Sequence, residues 1–278
     1  MIEKMRGIAA DWLKNKDIDC FLGFTEKENG KFVPVCIYDV EDVSKLDFDS
    51  GCVQNLMSYV DSQKKEKIGI LLKGCDGRAL VQLIAEGRIS REDFKIVGVS
   101  CGQFSQNNFI EDKCKYCFST IPPVYDEFLG EKQELKDGTS ADLIEEVQRI
   151  DGLSHEQKNK YFADMFEKCI RCYACREVCP MCYCEQCISE KSDPNWIEKS
   201  VKPSSNYYWI VARTLHLAGR CIACGECSRV CPQGIPLHLL HYKMFDQVKT
   251  SWGYVAGTDT EKKILDLDFK EYRKEDQK

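Results

Sequence analysis

A run of four cysteines that occurs twice is the feature that most constrains this chain. The run Cys-x-x-Cys-x-x-Cys-x-x-x-Cys-Pro extends from Cys169 to Pro180 and again from Cys221 to Pro232. Three thiolates spaced two residues apart can wrap one loop around a cube of iron and sulfide. A cubane needs a fourth thiolate from another direction, and one short loop does not supply it. The two runs therefore predict two clusters that are built jointly.

The doubled run matches the signature of bacterial two-cluster ferredoxins, in which the fourth cysteine of each run binds the other cluster. The signature assigns four ligands to each of two [4Fe–4S] clusters: Cys169, Cys172, Cys175 and Cys231 to one, and Cys221, Cys224, Cys227 and Cys179 to the other. The alternative is a pair of structural zinc sites. Zinc modules usually place two Cys-x-x-Cys pairs well apart, so we favour iron–sulfur clusters.

The composition predicts a soluble globular chain in a reducing compartment. It has 278 residues, 43% of them hydrophobic and 30% charged, which fits two domains or one elaborated domain. A net charge of −6 argues against a nucleic-acid-binding protein. No apolar run approaches the ~20 residues of a membrane helix, and the first residues lack a signal-peptide core. Because eighteen cysteines occur in such a chain, we expect metal ligands in an anaerobic cytoplasm rather than disulfides.

Apolar patterning predicts an α/β domain with a mostly parallel sheet in residues 1–130. The first helix should span Ile2–Lys14. Strands are expected at 18–24, 32–38, 67–73 and 94–100, with a helix at 54–60. A turn at Gly74–Gly77 should lead to a helix at 78–86 that Asp76 caps. With the strand that ends at Cys101, this helix completes a parallel βαβ unit.

The remaining residues predict a mainly helical dicluster ferredoxin-like domain. The expected segments are a helical connector at 131–165, the cluster domain at 166–260 and a charged tail at 261–278. Helices are expected at 140–150, from Ser154 to about Lys168, at 207–218 and from Pro236 to about Val248, with a loop at 191–205. Each cysteine run follows a helix, so the two units form an internal repeat.

Four further cysteines suggest a metal centre in the α/β part. Cys75 and Cys101 end consecutive parallel strands, and a Cys114-x-x-Cys117 loop follows. Ligands of open α/β sheets sit at the carboxyl ends of the strands, so these thiols could converge. Cys75 and Cys101 could equally be buried small hydrophobes, and spacing alone leaves both readings open.

The segments Leu71–Leu80, Ile96–Cys101 and Lys113–Cys117 resemble the core of the beta-subunit family of coenzyme F-420 (deazaflavin) hydrogenases and formate dehydrogenases. The resemblance covers roughly residues 5–120. Members of that family hold one [4Fe–4S] cluster on such cysteines. The resemblance therefore implies a third cluster with the following ligands: Cys75, Cys101, Cys114 and Cys117.

The chain departs from that family in two places. Members that reduce deazaflavin bind FAD with a glycine-bearing segment before the first helix, where this chain has only Gly7. They also carry a long insertion where this chain has only residues 102–113 between the two cysteine segments. No G-x-G-x-x-G or Walker sequence replaces that material. FAD binding and deazaflavin reduction therefore stay open but are not favoured.

The cysteines outside these sets leave a fourth centre open. Cys182, Cys184 and Cys187 could supply three ligands, or they could be spare thiols beside a cluster loop. The fourth ligand would have to come from the first domain: Cys20, Cys36 or Cys52. We expect Cys20 and Cys36 to belong to the core because they lie in predicted strands.

Charged side chains flank the cysteine runs. The arginines concerned are Arg171, Arg176, Arg220 and Arg229. A cubane with four thiolates is negatively charged, so nearby guanidinium groups should favour its reduced form. Exposed docking charges are an equal alternative. We expect surface or cluster-edge roles for the four histidines: His155, His216, His238 and His241.

Several clusters without a catalytic motif predict an electron-transfer subunit of an anaerobic multi-subunit oxidoreductase. Family analogy points to a formate dehydrogenase, a nickel–iron hydrogenase or a heterodisulfide-reductase-like complex as the source of the other subunits. One alternative is a flavin-containing subunit that itself exchanges electrons with a deazaflavin or nicotinamide cofactor. Another is a protein whose clusters are structural or sense oxygen or iron, which should carry a DNA-binding motif that we do not find.

Overall fold

The computed structural model describes residues 1–60, 66–101, 112–115, 117, 119–132, 141–261 and 264. The first part contains, in chain order, α1 (Ile2–Lys14), β1 (Cys20–Glu26), β2 (Phe32–Ile37), β3 (Ile68–Leu72), α2 (Gly74–Ala85), β4 (Phe94–Val99), α3 (Asp112–Lys115) and β5 (Glu127–Leu129). The second part contains α4 (Ala141–Asp151), α5 (His155–Glu167), α6 (Ala174–Glu177), α7 (Pro203–His216), α8 (Glu226–Arg229) and α9 (Leu237–Trp252). Most of the predicted charged tail lies outside the described residues.

The strands form one sheet in the order β2-β1-β3-β4-β5. β1 and β2 are antiparallel, and every other neighbouring pair is parallel. The central strand β3 is buried along its whole length, as expected for a strand covered on both faces. The predicted class, a mostly parallel α/β part followed by a helical part, is confirmed. Strand β5 was not predicted, since its three residues are too few to show periodicity.

The turn expected at Gly74–Gly77 is the first turn of α2. Lys73 is the N-cap and Asp76 is the third helical residue, so the prediction that Asp76 caps the helix was wrong. The Asp76 carboxylate accepts the backbone N–H of Lys73 at 2.9 Å and that of Leu56 at 3.0 Å. It thereby attaches the start of α2 to a one-turn 3-10 helix, Leu56–Tyr59. A longer helix, at 54–60, was expected there.

The helices of the second part follow local capping rules. Ser154 caps α5 as predicted, and Gln157 returns the bond in a capping box. Helix α7 begins at Pro203, inside the predicted loop, because proline is favourable in the first turn. Helix α9 continues past Val248 and ends at Gly253, whose φ is +61°. Within the described ranges, no helix is long and apolar enough to cross a bilayer.

One hydrophobic core joins the two parts of the chain. The cluster that contains the sheet residues also contains Met181, Leu217, Ile222, Val248 and Tyr254 from the second part. The cysteine runs are therefore packed directly against the α/β fold.

Helix α2 carries a buried polar stripe toward the second part. Its members are Arg78, Gln82 and Glu86, four residues apart on one helix face. Arg78 donates to the carbonyl oxygens of Ile222 at 2.7 Å and Ala256 at 2.5 Å. The stripe fixes α2 against the backbone that follows Cys221.

The other two members of the stripe continue this attachment. The Gln82 amide oxygen accepts the Tyr254 hydroxyl at 3.1 Å and the Gly257 N–H at 2.9 Å. The Glu86 carboxylate accepts hydrogen bonds from Nε and Nη2 of Arg220, at 2.9 and 2.7 Å. A bidentate guanidinium–carboxylate pair fixes orientation as well as distance.

Candidate iron–sulfur sites

The two cysteine runs adopt the same backbone conformation. In the first run, Arg171 and Tyr173 have positive φ angles of 56° and 59°. In the second run, the equivalent Ala223 and Gly225 have φ angles of 52° and 72°. Left-handed residues turn the chain sharply and are uncommon outside glycine. Their recurrence at matching positions shows that the predicted internal repeat is also a repeat of three-dimensional shape.

The turn in each run directs a backbone amide at a sulfur atom. The N–H of Arg171 donates to Sγ of Cys169 at 3.4 Å, and the N–H of Ala223 donates to Sγ of Cys221 at 3.3 Å. Hydrogen bonds to sulfur stabilise the thiolate form and influence the reduction potential of a bound cluster.

A one-turn helix follows each loop. Cys175 is the second residue of α6, and Cys227 is the second residue of α8. The two short helices contact each other. This contact brings the end of each run, Cys179 and Cys231, toward the loop of the other run.

Two sulfur-lined recesses lie in the second part of the chain. The first recess is lined by Cys169, Cys172, Cys175 and Cys231 and contains about 480 Å³ of space free of protein atoms, part of it open to solvent. The second is lined by Cys179, Cys221, Cys224 and Cys227 and contains about 570 Å³. We call them the first-run and second-run cavities. Each combines three cysteines of one run with the last cysteine of the other.

The geometry of these thiols suits a cubane better than a single ion. A zinc ion about 2.3 Å from each of four sulfurs requires those sulfurs to lie roughly 4 Å apart. Across the described part of the chain, no three Cys, His, Asp or Glu side chains are close enough to hold one metal ion. The cysteines of the two runs line the two cavities, and in a cubane each thiolate binds a different iron atom, so the four sulfurs need not meet at one point.

Burial raises the pKa of most of these thiols. It raises the pKa of Cys175 and of Cys221 to about 11, and that of Cys227 to about 12. The exception is Cys179, whose pKa is lowered to about 6 by a hydrogen bond with Cys182, against the effect of burial. Thiolates in these cavities therefore need compensating positive charge, which iron would supply.

Arg213 on α7 is a candidate functional residue that the sequence analysis did not single out. It lines both cavities. Its Nη2 donates to the Cys175 carbonyl oxygen at 2.9 Å, and its Nη1 lies 2.5 Å from Nε2 of His241. Burial opposes its charge, yet the nearby Cys179 and Cys182 thiolates raise its pKa. It precedes the second run by eight residues but belongs to neither run, so the cysteine spacing did not mark it.

Two buried donors beside the cavities have no hydrogen-bond partner in the described part of the chain. Arg213 donates to Nε2 of His241, so the ring proton of His241 lies on Nδ1. Burial and the adjacent Arg213 cation lower the pKa of His241 well below its usual range, which keeps the ring neutral. Among the described residues, Nδ1 of His241 and Nε of Arg213 have no hydrogen-bond partner. Sulfide or thiolate sulfur of a cluster would accept such bonds, which supports the fit.

The four arginines that flank the runs are all held by other protein groups. Their contacts are Arg171 with Ser205 O at 2.8 Å and Tyr173 Oη at 2.9 Å, Arg176 with Glu190 at 2.6 Å, Arg220 with Glu86 at 2.7 Å, and Arg229 with Glu226 at 2.7 Å. Each of the three ion-paired side chains is less than one fifth exposed, and Arg171 is buried. The alternative that they are exposed docking charges was wrong.

The four cysteines of the α/β part are brought to one end of the sheet. Cys75 lies in the first turn of α2, directly after β3, and Cys101 follows β4. Burial, together with the charges of Cys117 and Cys114, raises the pKa of Cys101 to about 12. Burial also raises the pKa of Cys75, with a contribution from Cys101. Cys101 therefore lies within electrostatic range of the other three sulfurs.

This third set of cysteines adjoins the second-run cavity. Lys113, the neighbour of Cys114, lines that cavity, and its buried ammonium pairs with Glu226 of α8. A Cβ added to Gly225 would lie 2.7 Å from Cβ of Lys113. The backbones of the two sites are therefore in direct contact. A second buried lysine, Lys73, pairs with Asp76 at 2.8 Å beside the third set.

The other cysteines are distributed over separate environments. Cys182 packs with the core of the α/β part, Cys187 packs with the hydrophobic cluster around α5 and α7, and Cys184 is exposed. The structure does not bring these three thiols to a common point. Cys20 and Cys52 are buried in the core, as was expected of Cys20. Cys36 is exposed, so its expected place in the core was wrong; β2 is an edge strand.

Comparison with known proteins agrees with both halves of this description. Residues 165–235 match the family model described as a 4Fe-4S dicluster domain. The chain is 36% identical over 107 residues to the F420-dependent formate dehydrogenase subunit beta of Methanocaldococcus jannaschii, covering 38% of this chain and 26% of the relative. It is 29% identical over 119 residues to the F420-dependent formate dehydrogenase 1 subunit beta of Methanococcus maripaludis, covering 39% and 30%.

The chain thus matches less than a third of the length of these curated relatives. The resemblance inferred from the cysteine segments is confirmed. Over part of its length this chain is similar to beta subunits of F420-dependent formate dehydrogenases, and it carries a 4Fe-4S dicluster domain.

Proposed function

We propose that this chain is an iron–sulfur electron-transfer subunit of an anaerobic multi-subunit oxidoreductase and relays electrons through at least three [4Fe–4S] clusters. The observation that carries the proposal is the lining of the two cavities. Each presents four cysteines, three from one run and one from the other. Bound clusters would each exchange one electron at a time, and the protein would set their potentials.

Eight cysteines would hold the two ferredoxin-like clusters. They are Cys169, Cys172, Cys175 and Cys231 in the first-run cavity, and Cys221, Cys224, Cys227 and Cys179 in the second-run cavity. The third cluster would be held by Cys75, Cys101, Cys114 and Cys117. Two buried lysines, Lys73 and Lys113, would offset part of its negative charge.

The contacts between sites support a linear order of electron transfer. The third set adjoins the second-run cavity through Lys113 and Gly225. Arg78 lies between them as well: burial lowers its pKa to about 10, while the charges of Cys221 and Cys117 oppose that effect. Arg213 then connects the second-run cavity to the first-run cavity. Electrons would therefore pass along the sequence third set, second-run cavity, first-run cavity, or in reverse.

A catalytic formate dehydrogenase subunit is the partner that the comparisons favour. Both relatives carry names of F420-dependent formate dehydrogenase beta subunits. In a complex with a hydrogenase or a heterodisulfide-reductase-like flavoprotein, this chain would have the same role, which is to transfer single electrons over a distance. We place the complex in the cytoplasm, where thiolates and clusters stay reduced.

Metal, sulfide and flavin analysis of the full chain, prepared without oxygen, tests this proposal. We expect about 12 iron and 12 sulfide per chain, corresponding to three [4Fe–4S] clusters. Replacing Cys114 and Cys117 with alanine should remove about a third of the iron. The control is Cys184→Ser, because this exposed thiol lies outside the three ligand sets and its loss should leave the iron content unchanged.

Other results would contradict the proposal. Colourless protein that carries zinc would show that the thiols bind single ions. Stoichiometric FAD released on acid denaturation would favour the alternative in which the chain itself exchanges electrons with a deazaflavin or nicotinamide cofactor. Clusters that dithionite cannot reduce would favour a structural or sensing role.

A further inference from the structure

Among the described residues, Arg213 is the only cationic side chain that lines both ferredoxin-like cavities. Its side chain is nearly inaccessible to water, with a residue exposure of 6%. Among the described residues no carboxylate forms an ion pair with Arg213, whereas the flanking Arg176, Arg220 and Arg229 each have one. The charge of Arg213 is therefore directed at cysteines rather than neutralised by an acid.

The contacts of Arg213 fix it in place from both sides. One terminal nitrogen donates to the Cys175 carbonyl oxygen, on the side of the first-run cavity. The other terminal nitrogen is hydrogen-bonded to Nε2 of His241, which lines the second-run cavity. The remaining Nε is buried without a partner among the described residues. A rigid cation whose Nε–H has no partner among the described residues is thus held between two sites that would each gain negative charge on reduction.

We propose that Arg213 is a positioning residue shared by the two ferredoxin-like clusters, and that its cation raises both reduction potentials together. The inference rests on the proposed function, since it requires clusters in both cavities. A buried positive charge stabilises the added electron at each site, because screening by water is weak there. One shared cation would also keep the two potentials close, which favours rapid electron exchange in either direction.

The flanking arginines differ from Arg213 in a way that provides a control. Arg176 is adjacent to Cys175 in sequence, but two carboxylates, Glu177 at 2.5 Å and Glu190 at 2.6 Å, neutralise it. It lines neither cavity. Replacing Arg176 therefore removes a positive charge next to Cys175. Unlike the charge of Arg213, that charge is neutralised by carboxylates and does not lie between the two cavities.

Reductive titration of the full chain, followed by electron paramagnetic resonance, tests the inference. We expect Arg213→Met to lower the midpoint potentials of two clusters, each by at least a tenfold change in the reduction equilibrium, equivalent to 59 mV for one electron. Arg213→Lys, which keeps the charge, should retain most of the wild-type potentials. Arg213→Gln should behave like Arg213→Met, and Arg176→Met should change the reduction equilibrium of neither cluster by as much as threefold.

The outcomes separate the inference from the proposed function. Wild-type protein without iron and sulfide contradicts the proposed function. Clusters whose potentials do not move in Arg213→Met, or of which only one moves, overturn the shared role of Arg213. If none of the three Arg213 variants assembles clusters while Arg176→Met does, Arg213 serves folding rather than potential, which also overturns the inference.

Discussion

Lys113 and Glu226 form a buried ion pair that connects the cysteine loop of the α/β part to the second ferredoxin-like run. The two side chains are 4% and 1% exposed. Lys113 also donates to the Val53 carbonyl oxygen, and Arg229 pairs with the second carboxylate oxygen of Glu226 at 2.7 Å. Burial alone would raise the pKa of Glu226, but the two cations lower it. A charged network therefore joins two proposed cluster sites.

Replacing Lys113 with methionine should destabilise the protein. It leaves a buried carboxylate with one cation instead of two, and removing one partner of a buried pair costs about 3 kcal/mol. In a chain of this size, we expect the thermal unfolding midpoint of anoxic protein to fall by roughly 5–10 °C.

Two controls accompany this change. The double variant Lys113→Met/Glu226→Gln should recover part of the loss, because no carboxylate charge remains buried and the glutamine amide oxygen can still accept from Arg229. Lys160→Met removes an exposed lysine that pairs with Asp164 at 3.1 Å and should leave the midpoint almost unchanged. A wild-type midpoint for Lys113→Met would show that the pair contributes nothing.

Paired cysteine substitutions should reveal whether the ligands cross between runs. If Cys179 and Cys224 serve the same cluster, replacing both with alanine removes one cluster and about 4 iron per chain. Replacing Cys179 and Cys172 should remove two clusters and about 8 iron. Iron and sulfide analysis distinguishes the two results. The opposite ranking would mean that each run builds its own site.

Adding a methyl group to Gly225 should disturb the junction between the third set and the second-run cavity. Gly225 has a φ of 72°, and a Cβ there would lie 2.7 Å from Cβ of Lys113. We expect Gly225→Ala to cost more than the 1–2 kcal/mol that a left-handed conformation alone costs a non-glycine residue, ~2 kcal/mol or above.

Two matched substitutions separate strain from close contact. Gly234 has a φ of 61° but nothing within 4 Å of an added Cβ, so Gly234→Ala should cost only about 1 kcal/mol. Ala223 already has a φ of 52°, so Ala223→Gly should be neutral or stabilising. Thermal unfolding of the three variants gives the ranking, and equal losses in Gly225→Ala and Gly234→Ala would refute the contact argument.

Tyr183 should ionise at unusually high pH. Burial, together with its hydrogen bond to Glu86, raises the pKa of the phenol from 10.0 to about 12. Since the folded-state pKa is the higher one, the neutral phenol contributes stability below pH 10, and that contribution is lost as the pH rises from 10 to 12.

Tyrosinate absorbance near 295 nm checks this expectation. The difference between the titration curves of the wild type and Tyr183→Phe should show one phenol ionising near pH 12 rather than near pH 10. The Glu86→Gln variant should bring the midpoint back toward 10, because the carboxylate charge is gone. If the difference curve shows Tyr183 ionising near pH 10 in the wild type, its phenol is not buried against Glu86.

Local patterns explain the success of several predictions. The strand β3 and helix α2 were visible because apolar runs and helical periodicity are properties of consecutive residues. The start of α5 was visible at Ser154, a residue type favoured at helix N-caps. The doubled cysteine run was informative because cluster geometry imposes a fixed spacing on each loop.

The predictions that failed depended on distant parts of the chain. Asp76 was expected to cap a helix, but Leu56, twenty positions earlier, shares its carboxylate, and the helix begins before it. Cys36 lies in a strand as predicted, but only the sheet order shows that this strand is at the edge. The arginines beside the cysteines could not be classified until their carboxylate partners were known.

The sequence by itself determined the ferredoxin-like spacing, the mostly parallel α/β class and the candidate ligands, because each depends on residues that are close in the chain. Only the tertiary structure decided that Arg213 borders two cavities, that Lys113 reaches Glu226, and that the polar stripe of α2 holds the two parts together. These contacts join residues more than 100 positions apart or place one side chain between two sites, and no local pattern encodes such distances.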